Sequence, residues 1–295
     1  MVTISHDQAD APVSSELRPL IVNTRKNRWY NSRAAVYVYR VLVLAGVLLL
    51  WQYLPSIKSV RHISQFLDPY FISSPTMVAT ELKEMMTGAN GTVVIWSYIW
   101  PTVEASIFGT AIGMACGAAC GLVLSNFPTL GQVFRPFLVA LNAIPRVALI
   151  PIVVLLFGST LKSNIVVASL VVFFIAFFNA FEGGRGVERV IIDNAALLGA
   201  RSWATLRHIR LPYVLACTMS SLPLGLTFAI MTVVTTEILT GYPGLGRLIS
   251  IAGQTGDSTL TFAVVIVLAI VGWLVVSIAD LLTRRVLHWW NSGSK

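Results

Sequence analysis

The sequence predicts an all-α, polytopic membrane protein of six transmembrane helices, with a polar helical insert exposed to water between the fourth and fifth spans. Three observations carry this expectation. The chain is 56% hydrophobic and only 12% charged over 295 residues, with a mean hydropathy of +0.76, too apolar for a soluble domain of that length. Its apolar residues gather into runs of about 20, each long enough to cross a bilayer as a helix. One stretch, Asp193–Pro212 (DNAALLGARSWATLRHIRLP), breaks that pattern with Arg201, Arg207 and Arg210.

Taken in order, residues 1–35 are polar and mixed, with Pro12, Pro19 and a basic cluster of Arg25, Lys26, Arg28 and Arg33. No small-residue cleavage site follows an early apolar core, so this part is expected to be a tail and not a secretory signal. The remainder, 36–295, is expected to form one transmembrane domain. The first apolar run covers 36–54. In the polar segment 55–92, SSPTMVATELKEM reads as a loop leading into a short helix, capped by Ser73 or Ser74 and opened by Pro75. Further apolar runs follow at 97–124, 137–157, 164–182, 212–239 and 260–283, six in all. In the second of them Gly109, Gly113, Gly117 and Gly121 recur every four residues and line one helical face. Such a face lets two backbones approach closely in lipid, and helix packing is the reading favoured for it.

Loop charge orients the chain. The formal net charge is +8, but no long basic run exists, so nucleic acid is not the expected partner. If the tail lies inside, the inner segments hold fifteen Lys and Arg residues and the outer loops five: Lys58, Arg61, Lys83, Lys162 and Arg247. Arg146 lies within the third apolar run and is counted on neither side. A bias of this sign predicts cytoplasmic termini and places Asp193–Pro212 in the cytoplasm.

Catalytic and metal chemistry find no support. Cys116, Cys120 and Cys217 all lie in apolar stretches, and no His or carboxylate completes a ligand set around them. The four histidines are scattered. Neither GxxxxGKS nor GxxxxGKT occurs, so the chain lacks the phosphate loop that such a motif builds. Gly244-Leu245-Gly246 is only part of a dinucleotide fingerprint and reads instead as a turn.

The insert reads as a helix of its own. Asp193 and Asn194 are expected near its start, where acceptors meet free N–H groups and the positive dipole end. Ala195, Ala196 and Gly199 would keep one face shallow for another protein surface. Ile209, Leu211 and Pro212 would close the helix and begin the fifth span, since proline cannot continue the hydrogen-bond ladder. The arginines would sit at headgroup level and offer charge to a partner or to anionic lipid. Helix physics alone leaves open an interfacial amphipathic helix with no partner.

The spacing of an acid, two small residues, a glycine six residues after the acid, and Ile-x-Leu-Pro resembles the EAA loop of ABC-importer membrane subunits. The resemblance runs over about 70–288. It includes SPTMVATEL, AIPRVALIPIVVLLFG, NAFEGGRGVERVIIDNAALLGARSWATLRHIRLP, GLTFAIMTVVTTEIL and GLGRLI. It points to binding-protein-dependent permeases of the nitrate, sulfonate, taurine and vitamin-precursor branch, with the type I importer fold. Two positions depart from the pattern: Asp193 stands where the family usually has Glu, and Asn194 where it usually has Ala. The resemblance implies a bacterial inner-membrane subunit that pairs with a second copy of itself. Asp193–Pro212 would act as a coupling helix on separate ABC ATPase subunits, which hold the ATP, and an extracytoplasmic substrate-binding protein would deliver the cargo. It implies no catalytic residue and no cofactor on this chain.

Four ionisable residues, Glu104, Arg146, Glu237 and Asp280, fall in or near apolar runs, where charge is costly. Arg146 either lines the pathway and attracts an anion or snorkels to the inner headgroups. Glu237 either belongs to a gate or docking surface or makes an interhelical hydrogen bond. Asp280 and Arg284 are spaced as an i,i+4 pair. A secondary transporter driven by an ion gradient, with Glu104 or Glu237 as the coupling carboxylate, is the competing reading.

Overall fold

The computed structural model describes residues 33–53, 72–89 and 94–288. The expected N-terminal tail lies outside the described residues, except for its last three positions, which begin the first helix. The chain divides into two compact units, residues 1–50 and 51–295. Among the described residues every regular element is a helix.

The first unit contributes most of α1 (Arg33–Tyr53), an apolar helix long enough to span. In the second unit the short helix α2 (Pro75–Thr87) starts as its sequence predicts. Ser74 is the N-cap, its hydroxyl accepting the Met77 N–H at 3.4 Å, and Pro75 occupies the first turn. Then follow α3 (Trp96–Asn126), α4 (Pro128–Asn142), a 3₁₀ turn (Arg146–Leu149), α5 (Ile150–Phe157) and α6 (Leu161–Arg185). The inserted segment holds α7 (Arg189–Leu197), α8 (Ser202–Thr205) and a π turn (Leu206–Arg210). The chain ends with α9 (Leu211–Ser220), α10 (Leu222–Thr240), α11 (Leu245–Thr255) and α12 (Ser258–Val286).

The α3–α6 pair forms the centre of the second unit, and the glycine face expected from the sequence is its seam. A Cβ on Gly109 would lie 2.5 Å from the Ala168 Cβ, one on Gly117 2.5 Å from the Phe173 carbonyl oxygen, and one on Gly121 2.5 Å from the Ala180 Cβ. No side chain fits there. The partner face is small in step, since Ala168, Val172, Ala176 and Ala180 are all fully buried. Close backbone approach multiplies van der Waals contact, which in lipid replaces the hydrophobic drive. Because residues 109 to 121 meet residues 168 to 180 in rising order, α3 and α6 run parallel. The chain between them must therefore return from one end of the pair to the other.

That return is not the straight third span expected over 137–157. Among the described residues five helices are long and apolar enough to cross a membrane, and the α4–α5 pair, bent by 83°, makes a sixth crossing only if counted as one. The cause lies in the prolines. Pro145 disfavours helical geometry at Ile144, and Pro151 sits in the first turn of α5 with no N–H to donate. The fifth apolar run, expected as a single span over 212–239, is likewise divided. The α9 and α10 helices meet at Ser221, with Pro223 in the first turn of α10.

The Asp280 and Arg284 side chains pair at 2.7 Å, as their i,i+4 spacing predicts.

Candidate coupling segment and transport pathway

We call the end of the bundle that bears residues 186–210 the inner end. Here the structure corrects the expectation of one polar helix from Asp193 to Pro212. Asp193 is the fifth residue of α7, not its cap, and the N-cap position is Glu188. The helix stops at Leu197, six residues after Ile191, and helical structure resumes at Ser202 and continues into α9. Leu211-Pro212 therefore does not end a helix. Proline 212 lacks an N–H and crowds the preceding turn, and the π turn immediately before it widens the helix where that bond is missing.

The stop after Leu197 gives the acid-Ala-Ala-x-x-Gly spacing a backbone explanation. The Gly199 N–H donates to the Ala196 carbonyl at 3.0 Å, and the Ala200 N–H to the Ala195 carbonyl at 2.9 Å. Gly199 itself has φ +80°. This pair of bonds closed by a left-handed residue is a Schellman cap, which satisfies the last carbonyls of a helix and favours glycine. A Cβ on Gly199 would meet nothing within 4 Å. Its backbone angle is one that favours glycine, and the space beside it is open.

The cap thrusts large apolar side chains into the open. Leu197 is 85% exposed, Leu198 89% and Trp203 69%. Asp193, Asn194, Ala196 and Gly199 are exposed beside them, while Ala195, Ile209, Leu211 and Pro212 are half-buried toward the bundle. The sequence reading missed the two leucines and the tryptophan. A signal was available: adjacent leucines just before a helix-ending glycine cannot both face one side of a helix. Arg210 ties the segment to the bundle by donating from Nη1 to the Asn126 side-chain oxygen at the end of α3.

At the outer end, Glu237 does not line an open pathway. It is fully buried, and its carboxylate joins three helices. Thr102 Oγ1 of α3 lies 2.8 and 3.0 Å from its two oxygens, and the Gly246 N–H in the first turn of α11 donates to Oε2 at 2.9 Å. Thr102 Oγ1 in turn accepts the Leu245 N–H at 3.0 Å. A carboxylate suits a helix N-terminus, where free N–H groups and the dipole favour negative charge. The glycines of GYPGLGRLI make room for it: a Cβ on Gly244 would fall 2.1 Å from the Glu237 Cδ, and one on Gly246 2.3 Å from the Val234 carbonyl oxygen. Of the two readings of Glu237, the interhelical hydrogen bond is the one present.

The bend between α4 and α5 faces α10 across a cavity of about 420 Å³, lined by Asn142, Pro145, Val147, Met231, Thr232 and Thr235 among others. Arg146 lies in sequence between two of these lining residues, but its side chain is outside the described residues. On the outer surface, Glu81 and Asp257 line a second, open cavity. Burial, then the nearby charges of Asp257 and Glu84, push the Glu81 carboxyl above its ordinary range. No cluster of metal-ligating residues occurs among the described residues.

Comparison with known proteins agrees with this architecture. Residues 109–289 match the family described as binding-protein-dependent transport system inner membrane component. The riboflavin transport system permease protein RibX of Chloroflexus aurantiacus is 33% identical over 220 residues, covering 75% of this chain and 81% of that protein. The taurine transport system permease protein TauC of Escherichia coli is 23% identical, over 91% and 95%. A putative aliphatic sulfonates transport permease protein, SsuC of Bacillus subtilis, is 30% identical, over 58% and 62%. Among solved structures, a chain of the MetNI methionine ABC transporter in an inward-facing conformation superposes with a TM-score of 0.58 at 18% identity, covering 65% of this chain and 95% of that one. With its apolar crossings, parallel glycine-seamed pair and inner segment, the chain belongs to the binding-protein-dependent inner-membrane permeases of ABC importers.

Proposed function

We propose that this chain is the translocation subunit of an ATP-driven importer, powered by separate ABC ATPase subunits that dock on the Asp193–Pro212 segment. Carrying this reading is the Schellman-capped turn, which holds Leu197, Leu198 and Trp203 outward on a short, braced element. Leucines 85% and 89% exposed beside Arg201 and Arg207 make an apolar centre with a basic rim, the composition of a protein-docking patch. Asp193, Asn194, Ala195, Ala196 and Gly199 shape the turn; Ile209, Leu211 and Pro212 join it to the bundle, so force on the turn reaches α9 and α10. ATP is bound and hydrolysed on the partner, and this chain carries no cofactor.

Two copies would surround the pathway, each contributing the cavity between the α4–α5 bend and α10, with Arg146 at its edge. Both termini lie in the cytoplasm on the loop-charge argument. A substrate-binding protein would deliver the cargo to the outer surface. The names of the relatives support a small organic anion or a vitamin-like solute, and an arginine at the pathway suits an anion. Transport would proceed by rocking of the two bundles about the pathway. The docking patch is tested by the double substitution Leu197→Asp, Leu198→Asp. It should abolish co-purification of the ATPase while the permease remains folded and monodisperse in detergent. Undiminished co-purification would refute docking at this turn.

A further inference from the structure

At the inner end a cavity of about 310 Å³ lies among the C-terminal ends of α3 and α6, the first turns of α4 and the π turn. Its polar lining is one-sided in charge. The residues that line it include Arg185, Arg210, Gln132 and Ser125, and no acidic residue. Glu182, next to Phe181, points to Arg135, 3.6 Å away, and Glu188 and Asp193, next to Val187 and Ile192, are exposed and do not line the cavity. Arg185 is held over the Phe181 ring, 5.4 Å from its centroid, and that ring is part of the cavity wall. Arg210 is the informative residue. One nitrogen is used on Asn126, but its Nε is buried and has no partner among the described residues. A buried charged N–H without an acceptor is rare; that nitrogen is covered by protein, so an anion in the cavity would meet the part of Arg210 that lines it.

We propose that this cavity is an anion site that takes a phosphate group, gripped by Arg185 and Arg210. The planar guanidinium fork matches phosphate oxygens better than any other side chain does, and charge assistance makes such bonds short and strong. Gln132 adds a neutral donor within the same wall. The site lies where the helices leave the apolar layer, at the level of lipid headgroups, and basic pockets between spans on the inner side suit anionic lipid. The phosphate has two sources, a lipid headgroup or the free inorganic ion. Neither depends on the docking of an ATPase, so this site and the docking patch stand or fall separately.

The test uses the full-length permease and two mild variants. Arg185→Gln removes one grip, and Gln132→Glu places a carboxylate of nearly the same shape in the wall, where it competes as an internal anion. Arg210 is left intact because it also anchors the segment. Native mass spectrometry measures retention of phosphatidylglycerol against phosphatidylcholine, and calorimetry in lipid-free detergent measures binding of inorganic phosphate. Wild type should retain phosphatidylglycerol preferentially, or bind phosphate, and each variant should weaken whichever is seen by about tenfold. Preference for the lipid with no phosphate binding identifies the headgroup, and phosphate binding without lipid preference identifies the free ion; both support the site. Equal binding by wild type and variants, or no binding of either probe, overturns it.

Discussion

With φ at +80° and open space where a side chain would be, Gly199 serves the backbone and touches nothing. A residue with a Cβ in this region loses roughly 1–2 kcal/mol, and asparagine loses less than most. Gly199→Val should therefore weaken ATPase co-purification strongly, Gly199→Ala less, and Gly199→Asn least. A series ordered by side-chain volume alone, with asparagine worse than alanine, would show that contact and not backbone angle governs the position. Glu237 makes the opposite case, a residue defined wholly by its partners. Glu237→Ala would strand the Gly246 N–H, at about 1–3 kcal/mol for a buried group left unpaired, while Thr102 Oγ1 keeps the Tyr98 carbonyl and the Leu245 N–H. A lowered thermal midpoint in detergent should record it, and Thr102→Val should lower the midpoint in the same direction. An unchanged midpoint for both would mean the three-helix junction adds no stability. The spacing of Ala195, Ala196 and Gly199 was legible in the sequence, yet its cause was not. A Schellman cap is a pattern of carbonyls and N–H groups that no side chain announces. Glu237 and the glycines of GYPGLGRLI were visible separately; only the fold shows that a carboxylate occupies the space a side chain on Gly244 would need.

Among elements, the α3–α6 pair was the most legible and the third crossing the least. Glycines at a four-residue period imply a close helix contact whatever the partner, and the structure supplies that partner as the Ala168–Ala180 face of α6. Gly117→Leu should force the pair apart, since even a Cβ there would sit 2.5 Å from the Phe173 carbonyl oxygen. The expected outcome is loss of the monodisperse peak in size-exclusion chromatography; a variant that runs as wild type would contradict the packing. The bend between α4 and α5 is hidden from hydropathy because apolar residues continue on both sides of Pro145. Hydropathy averages over a window and carries no direction, so it sees one long run where a proline at 145 and another at 151 turn the chain. The same blindness merged α9 with α10. In the inner segment it worked the other way: polarity suggested one continuous helix, although a positive-φ glycine divides it.

For the molecule as a whole, the parallel course of α3 and α6 requires a return crossing between them, and the bent α4–α5 pair is what the chain provides. The bend leaves a cavity against α10, while the inner segment lies at the other end of the α9–α10 rod. The α9 and α10 helices thus connect the exposed inner turn to the residues proposed to line the pathway, and the outer junction at Glu237 holds the far end of α10. The membrane-embedded fold and the family were legible from composition and motif. The surroundings of Glu237 were not legible, because in sequence it is only a charge in an apolar run, and its partners Thr102 and Gly246 come from other helices. The central claim, that transport is driven by ATP hydrolysed on a partner docked at the inner turn, is tested most directly in proteoliposomes. The measurement is uptake by the permease reconstituted with its ATPase and binding protein, compared with the permease and binding protein alone. Uptake should require the ATPase and ATP, and should be lost in the Leu197→Asp, Leu198→Asp variant. Uptake by the permease without any ATPase, driven by an imposed proton or sodium gradient, would contradict the account.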